Sequence, residues 1–301
     1  MRILVTGGTG FIGRHLVEYL LEKGLEVTIL DNFSNSENKS MHKFASTTVK
    51  IIEGDITNIQ NLIDATKEQD VVVHLAAKIS VDDSIKNPSE TFRVNVDGTK
   101  NVLVACEKNN VNKVIIASSA AVYGESPPNV KLTENSEKNP ISPYGESKSI
   151  MEQNVMEFVS KHNIKCIILR FFNIYGIGQS SEYAGVITKF IEKIFLNKPL
   201  DIFGDGLQTR DFVSVRDVVN SIYNAMEHKE SGIFNIASGK AVTIKELAKF
   251  MISLSGKNLD IKYLPPKKGE IRYSEADISL ARKRLNYSPK YDLKEIKNLL
   301  K

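Results

Sequence analysis

Three groups of residues in this 301-residue chain have types and spacing that suit chemistry: Tyr144 with Lys148, the pair Ser118-Ser119, and the glycine-rich run Thr6–Gly13. Tyr144 and Lys148 follow Pro143, a residue that favours a helix start, and so stand one turn apart on one face. A free phenol titrates near ~10, so only about 0.1% is phenolate at neutral pH, and acting as a base there asks for roughly 4 kcal/mol. One cation at ~5 Å in an effective dielectric of ~20 supplies about 3 kcal/mol. Lys148 plus one further positive charge would therefore activate Tyr144. A helical Tyr-x-x-x-Lys also arises often by chance, and Ser118-Ser119 changes that balance. The serines end an apolar run, and the carboxyl ends of such strands are where ligands bind. A hydroxyl there can hold a substrate oxygen.

Thr6-Gly7-Gly8-Thr9-Gly10-Phe11-Ile12-Gly13 lies between a short apolar strand and a helical pattern. That context separates a phosphate-binding turn from a plain one. Gly7 permits the tight turn, Gly10 lets backbone approach a pyrophosphate, and Gly13 lets helix and sheet pack closely. The spacing is G-x-x-G-x-x-G, and Phe11 and Ile12 open a helix whose N-terminus offers free N–H groups to phosphates. Asp31 ends the second strand, 18 residues after Gly13, where a carboxylate accepts a ribose 2′-OH and repels a 2′-phosphate. No Arg stands among residues 32–36, so NAD is expected rather than NADP, and its oxidised nicotinamide would be the second positive charge beside Tyr144. Asn32 continues the same turn. Asp55-Ile56, after the third strand, either flanks an adenine or caps the strand end.

The elements that must position these residues alternate regularly. Ile3–Val5, Val27–Leu30, Val49–Ile52, Val71–Leu75, Val114–Ala117 and Cys166–Leu169 read as strands. Helical patterns separate most of them, notably Ser89–Asn109 and Gly145–Lys161. The strands are continuous Val/Ile runs, as a parallel sheet covered on both faces requires. The expected fold is α/β: a Rossmann-like doubly wound parallel sheet with a smaller mixed α/β C-terminal part. The dinucleotide domain is expected over residues 1–174, with about 210–228 returning to its sheet. A substrate domain would take 175–209 and 229–301. Net charge is +4, from 40 Lys+Arg against 36 Asp+Glu, too small a basic excess for a nucleic-acid partner. No apolar run approaches the ~20 residues of a membrane span. Cys106 and Cys166 sit inside apolar runs, which points to a reducing, cytoplasmic setting without disulfides or a Cys metal site. The N-terminus enters a strand at once, with no targeting leader expected. The five His residues lack metal-ligand spacing, so no metal is expected and His74, ending a buried strand, is a core histidine satisfied by hydrogen bonds.

Thr6–Gly13, Asp31, Leu75-Ala76-Ala77, Asn95, Ser118-Ser119-Ala120-Ala121-Val122-Tyr123-Gly124, Tyr144/Lys148 and Arg210-Asp211-Phe212 occur in that order. Together they resemble the extended short-chain dehydrogenase/reductases, in particular the NAD-dependent epimerase/dehydratase group, over essentially the whole chain. The resemblance implies that Ser119, Tyr144 and Lys148 are catalytic, and that Leu75, Ala76 and Ala77 line the cofactor site. It implies that Asn95 supports the active-site helix, and that Asn173 and Arg210 contact the diphosphate of a nucleotide sugar. It implies also a two-fold homodimer through the helices near Ser89–Asn109 and Gly145–Lys161.

Members of the group that dehydrate or decarboxylate sugars carry an acidic residue where this chain has Ala121, and dehydratases carry Asp before it. Eliminating water needs a proton donor and acceptor beside the keto carbon, and Ala120-Ala121 offers neither. The resemblance then narrows to members that epimerise UDP-hexoses at C4. The group's Arg-x-Gly-Asp/Glu segment appears here as Lys267-Lys268-Gly269-Glu270, with a point charge in place of a bidentate fork. In the C4 epimerases this chain resembles, the residue four positions after the acidic end of that segment lies against the sugar. Here it is Ser274, which the resemblance implies is small enough to admit an N-acetylated UDP-hexose. UDP-glucuronate 4-epimerisation, nucleotide-sugar reduction and a non-catalytic dinucleotide sensor are the other readings.

Overall fold

The computed structural model describes residues 1–35, 48–179, 185–266 and 271–300. Its first part runs β1 (Arg2–Thr6), α1 (Phe11–Glu22), β2 (Glu26–Asp31), β3 (Lys50–Glu53), α2 (Ile59–Ala65) and β4 (Val71–His74). Next come α3 (Val81–Lys86), α4 (Pro88–Phe92), a π-helical turn (Arg93–Asp97), α5 (Gly98–Lys108), β5 (Lys113–Ser119), α6 (Pro143–Lys161) and β6 (Lys165–Phe171). The helix expected over Ser89–Asn109 is thus interrupted by a π-helical turn centred on Asn95.

The rest runs β7 (Asn173–Tyr175), α7 (Val186–Phe195), β8 (Leu200–Phe203), β9 (Thr209–Ser214), α8 (Val215–Glu227) and β10 (Gly232–Ile236). It closes with β11 (Ala241–Thr243), α9 (Ile244–Ser255), β12 (Ile261–Leu264), α10 (Ser279–Leu285) and α11 (Ile296–Leu299).

The main sheet has seven parallel strands in the order β10-β6-β5-β4-β1-β2-β3. Strand order reverses at β1, so the crevice between the carboxyl ends of β1 and β4 is the ligand site such sheets provide. Successive strand residues serve opposite layers. Ile3, Val5, Val73, Ile115 and Ile167 pack with α1, α8 and α10, whereas Leu4, Val72, Val114, Ile116 and Ile168 pack with α2, α5 and α6. Both layers are apolar, which is why the strands read as unbroken Val/Ile runs; each buried side chain contributes roughly 1.5–3 kcal/mol. Cys106 and Cys166 are free thiols buried in the second layer.

The region around Arg210–His228 differs from expectation. Its helix α8 does return to the main sheet, but its strand β9 joins a small sheet in the order β11-β9-β7. The seventh main-sheet strand is instead β10, from the stretch expected in the substrate part. Periodicity cannot choose between two equally apolar short strands; the pairing of Gly232–Ile236 with Ile167–Phe171 does. A separate core of Tyr175, Phe190, Leu200, Ile202, Phe212, Leu247 and Met251 holds the smaller lobe together. No helix among the described residues is long and apolar enough to cross a membrane.

Candidate active site

A cavity of about 1430 Å³ opens where the carboxyl ends of β1, β2, β4 and β5 face the smaller lobe. Typical small-ligand pockets hold about 300–1,000 Å³, so this one has room for two ligands side by side. At its base, α1 begins directly after Gly10, with no side-chain cap and no acidic residue in its first turn. Its free N–H groups and positive end therefore suit an anion. A Cβ on Gly13 would lie 2.3 Å from the Gly7 carbonyl oxygen, so only glycine lets α1 sit this close to the turn. Asp31 ends β2 with Oδ2 accepting from Thr9 N–H at 3.0 Å and Thr9 Oγ1 at 2.7 Å, and Oδ1 accepting from Phe33 N–H at 2.9 Å. Asn32 donates to Asp55 at 2.8 Å, which draws the ends of β2 and β3 together. Asp55 lies below the usual carboxylate range: burial opposes this, but the Thr57 and Asn32 hydrogen bonds prevail. Anion-ready helix, carboxylate at the second strand end and ample volume fit a dinucleotide.

At the centre of the cavity, Ser142 caps α6 through Gly145 N–H at 3.1 Å, and Pro143 occupies its first turn. A Cβ on Gly145 would come within 2.5 Å of the Ala121 carbonyl oxygen, so the helix start is pressed against the turn that follows Ser119. This contact brings Tyr144 to Ser119, whose hydroxyl hydrogen-bonds the phenol. Burial raises the Tyr144 phenol above its ordinary value, and the Ser119 bond opposes that rise. Lys148 is buried, donates to the Ala117 carbonyl at 2.9 Å, and is pushed down to about 8 by burial, with Glu152 opposing. In the protein alone, burial outweighs any activation of Tyr144, so its phenol stays protonated.

The helix is anchored from below by Glu152, one turn beyond Lys148. Glu152 accepts from Ser118 Oγ at 2.6 Å and takes a bidentate grip from Arg170 at 2.8 and 2.6 Å. The paired side chains are 1% and 2% exposed, so removing one partner would cost about 3–5 kcal/mol. Arg170 also donates to Tyr123 Oη at 2.7 Å, and Tyr123 donates to Asn235 at 2.6 Å. Ser119 and Lys148 thus stand on a fully bonded polar foundation.

Most residues expected at the site meet here. Gly7, Gly10, Phe11, Ile12, Asp31, Asn32, Asp55, Ile56, Leu75, Ala76, Ala77, Ser119, Tyr144, Lys148, Asn173 and Arg210 all line the cavity. Asn173 reaches it from β7, where its Nδ2 donates to the Asp211 carbonyl at 3.2 Å, and Arg210 from β9. Asn95 is behind the wall instead. It clamps Lys78 at 2.8 and 2.9 Å and donates to Ser147 Oγ at 3.0 Å. Ser274 is buried, with its N–H against Thr209 Oγ1 at 3.4 Å, one residue from Arg210 but not itself on the cavity lining. Lys267 and Glu270 lie outside the described residues. Arg14, Lys78, Lys189 and Gln208 also line the cavity, and no motif marked them. Only Arg14, directly after Gly13, carried a positional signal. Among the described residues, no cluster of three or more His, Cys, Asp or Glu could hold a metal.

The chain belongs to the NAD dependent epimerase/dehydratase family, whose model matches residues 3–237, and NAD is its cofactor. It acts on nucleotide sugars as that family does. It is 39% identical over 296 residues to a Methanocaldococcus jannaschii protein that bears the name UDP-glucose 4-epimerase provisionally, covering 97% of this chain and 95% of that one. The crystal structure of Thermotoga maritima UDP-glucose 4-epimerase with UDP-glucose superposes with a TM-score of 0.94 at 34% identity, covering 100% of this chain and 97% of the other. A Bacillus cytotoxicus UDP-N-acetyl-alpha-D-glucosaminuronate decarboxylase is 35% identical over 88% of this chain and 83% of its own.

Proposed function

We propose that the chain epimerises UDP-hexoses at C4 through a 4-keto sugar. One observation carries this choice: Ala120 and Ala121 follow Ser119 against the start of the Tyr144 helix, and neither can give or take a proton. Elimination of water or loss of a carboxylate beside the keto carbon needs groups this turn lacks.

In this reading Ser119 holds the C4 hydroxyl and Tyr144 takes its proton, returning it after the sugar has turned. Bound NAD would supply the redox chemistry, a place for the C4 hydride between its departure and its return, and its oxidised ring would add positive charge beside Tyr144. That charge and the Lys148 ammonium together offset the burial that holds the phenol protonated. The head of α1, with Gly7, Gly10, Phe11 and Ile12, cradles the pyrophosphate. Asp31 would accept ribose hydroxyls, Asn32, Asp55 and Ile56 would flank the adenine, and Leu75–Ala77 would border the nicotinamide side. Asn173 and Arg210 anchor the substrate diphosphate while the sugar rotates, so their grip serves turnover as well as binding. The main-sheet lobe is the cofactor part and the smaller lobe the substrate part. Ser274, whose N–H lies against Thr209 Oγ1 beside Arg210, is in this reading the small residue that leaves room for a 2-acetamido group.

Two buried thiols support a cytoplasmic setting. The groove between α5 and α6, lined by Leu103, Met151, Val155 and Phe158 with Val104 and Met156 exposed nearby, supports a two-fold dimer through these helices. Light scattering at micromolar concentration should give the dimer mass, and a monomer would contradict it. The activity is tested by incubating the protein with UDP-glucose, UDP-N-acetylglucosamine and UDP-glucuronate and analysing products by NMR. Inversion at C4 of the first two is expected. Decarboxylation or a deoxy product would overturn the reading.

A further inference from the structure

His74 is buried at the end of β4 and bonded on both ring nitrogens: Nδ1 to Thr6 Oγ1 at 2.7 Å and Nε2 to Thr99 Oγ1 at 2.9 Å. The direction of each bond follows from counting protons. Thr99 Oγ1 has one, and the Asn95 carbonyl at 2.7 Å, which can only accept, takes it. The Thr99 oxygen must therefore accept from His74, so Nε2 carries the hydrogen. Nδ1 is then bare and accepts from the Thr6 hydroxyl, while Thr6 Oγ1 accepts from Ala76 N–H at 3.3 Å. Burial, and then the Lys148 charge, lowers the imidazole to about 3, so it stays neutral and the tautomer is fixed.

The directed chain continues towards the active site. Asn95 sits in the π-helical turn, accepts from Lys78 N–H at 2.8 Å, and donates to Ser147 Oγ at 3.0 Å. Ser147 Oγ donates to the Tyr144 carbonyl at 2.7 Å. Single π-turns inside α-helices concentrate at functional sites, and this one holds the residue that joins the Lys78 loop to the Tyr144 helix.

We propose that His74, locked as its Nε2–H tautomer between Thr6 and Thr99, is a positioning residue that ties the glycine-rich turn to the Tyr144 helix. Thr6 precedes Gly7 at the cofactor end of the cavity, and Tyr144 is at the reacting end, so the relay sets one end against the other. It rests on the assignment of Tyr144 as the base. A polar relay of fixed direction does this better than apolar contact, because each bond fails if its neighbour turns.

The relay can be cut without changing its volume. Thr99→Val removes the acceptor of Nε2–H, and Thr99→Ser restores it. His74→Gln keeps a donor for Thr99, and His74→Asn keeps only an acceptor for Thr6. With UDP-glucose, Thr99→Val and His74→Asn should lower kcat by roughly 10- to 100-fold, as misplacement of about 1 Å does, with KM within about 2-fold. The acid limb of their pH profile, which reads Tyr144 ionisation, should move upward. Thr99→Ser and His74→Gln should recover most of the rate and the original limb. If all four variants slow turnover alike with an unmoved acid limb, the relay is packing only and the proposal is overturned. Tyr144→Phe measured alongside separates the two levels, since an active Tyr144→Phe overturns the base assignment and the relay with it. An inactive Tyr144→Phe beside four equal variants overturns the relay alone.

Discussion

On the wall made by the ends of β1 to β4, the cavity meets backbone at Gly7 and Gly10 and the small Ala76 and Ala77, beside Phe11, Ile12 and Leu75, with Asp31 and Asp55 as carboxylates there. On the facing wall, Asn173, Lys189, Gln208 and Arg210 present long polar side chains from β7, α7, the turn after β8, and β9. The first wall recognises through crowding that only glycine relieves, as at Gly13. Changing its ligand would mean rebuilding a turn. The second recognises through side chains on separate elements, each replaceable alone. In the proposed reading the first wall serves the cofactor through its glycine turn and the Asp31 carboxylate, and the second serves the substrate through groups replaceable one at a time.

The largest effect should come where the walls meet. Tyr144→Phe should cut turnover by ~10²–10⁴-fold for every substrate accepted, with the melting temperature unchanged. A variant keeping more than half the wild-type rate would show that the chemistry lies elsewhere. Next to the exchangeable wall, at Ser274, the effect should be selective. Ser274→Tyr should stop turnover of UDP-N-acetylglucosamine and leave UDP-glucose close to wild type, because overpacking of about 1–3 kcal/mol falls on the larger ligand. Equal losses on both substrates would move the gate to another residue.

Asp31 on the first wall predicts cofactor choice. Denaturing the purified protein and assaying released nucleotide should yield NAD, since Asp31 stands where a 2′-phosphate would be repelled and no Arg follows it among residues 32–36. Recovery of NADP alone would reverse that reading. The smallest effect is on pH. Burial pushes Lys148 down to about 8, so its ammonium is charged below that pH and lost above it. Turnover should decline as pH rises through 8, and Lys148→Arg, whose guanidinium keeps its proton, should flatten that limb. A wild-type profile level to pH ~10 would remove Lys148 from the electrostatics.

The same contrast between the walls decides which features are legible in the amino-acid sequence. The doubly wound sheet is legible because both covering layers are apolar, so β1, β4, β5 and β6 appear as unbroken runs. The glycine turn and Asp31 are legible because crowding and strand-end position leave marks in spacing. Asn173, Arg210 and Ser274 are candidates through resemblance alone, since a polar residue on a short strand or in a loop has no periodic signature. Lys78, in the loop after β4, and Lys189, on α7, escape notice because nothing in the sequence separates them from other surface lysines. The π-helical turn at Asn95 is invisible because one extra residue in a helix leaves an ordinary apolar pattern. The exchange of β9 for β10 in the main sheet reflects pairing, which is set by neighbours in space rather than along the chain.

The central claim is that the C4 hydrogen leaves as hydride and returns to the same carbon, with Tyr144 moving only the hydroxyl proton. UDP-glucose carrying deuterium at C4, incubated with the protein in ordinary water, tests it in one spectrum. The product should be UDP-galactose with the deuterium still at C4 and none released to solvent. Loss of the label to water, or a product altered at any other carbon, would contradict it.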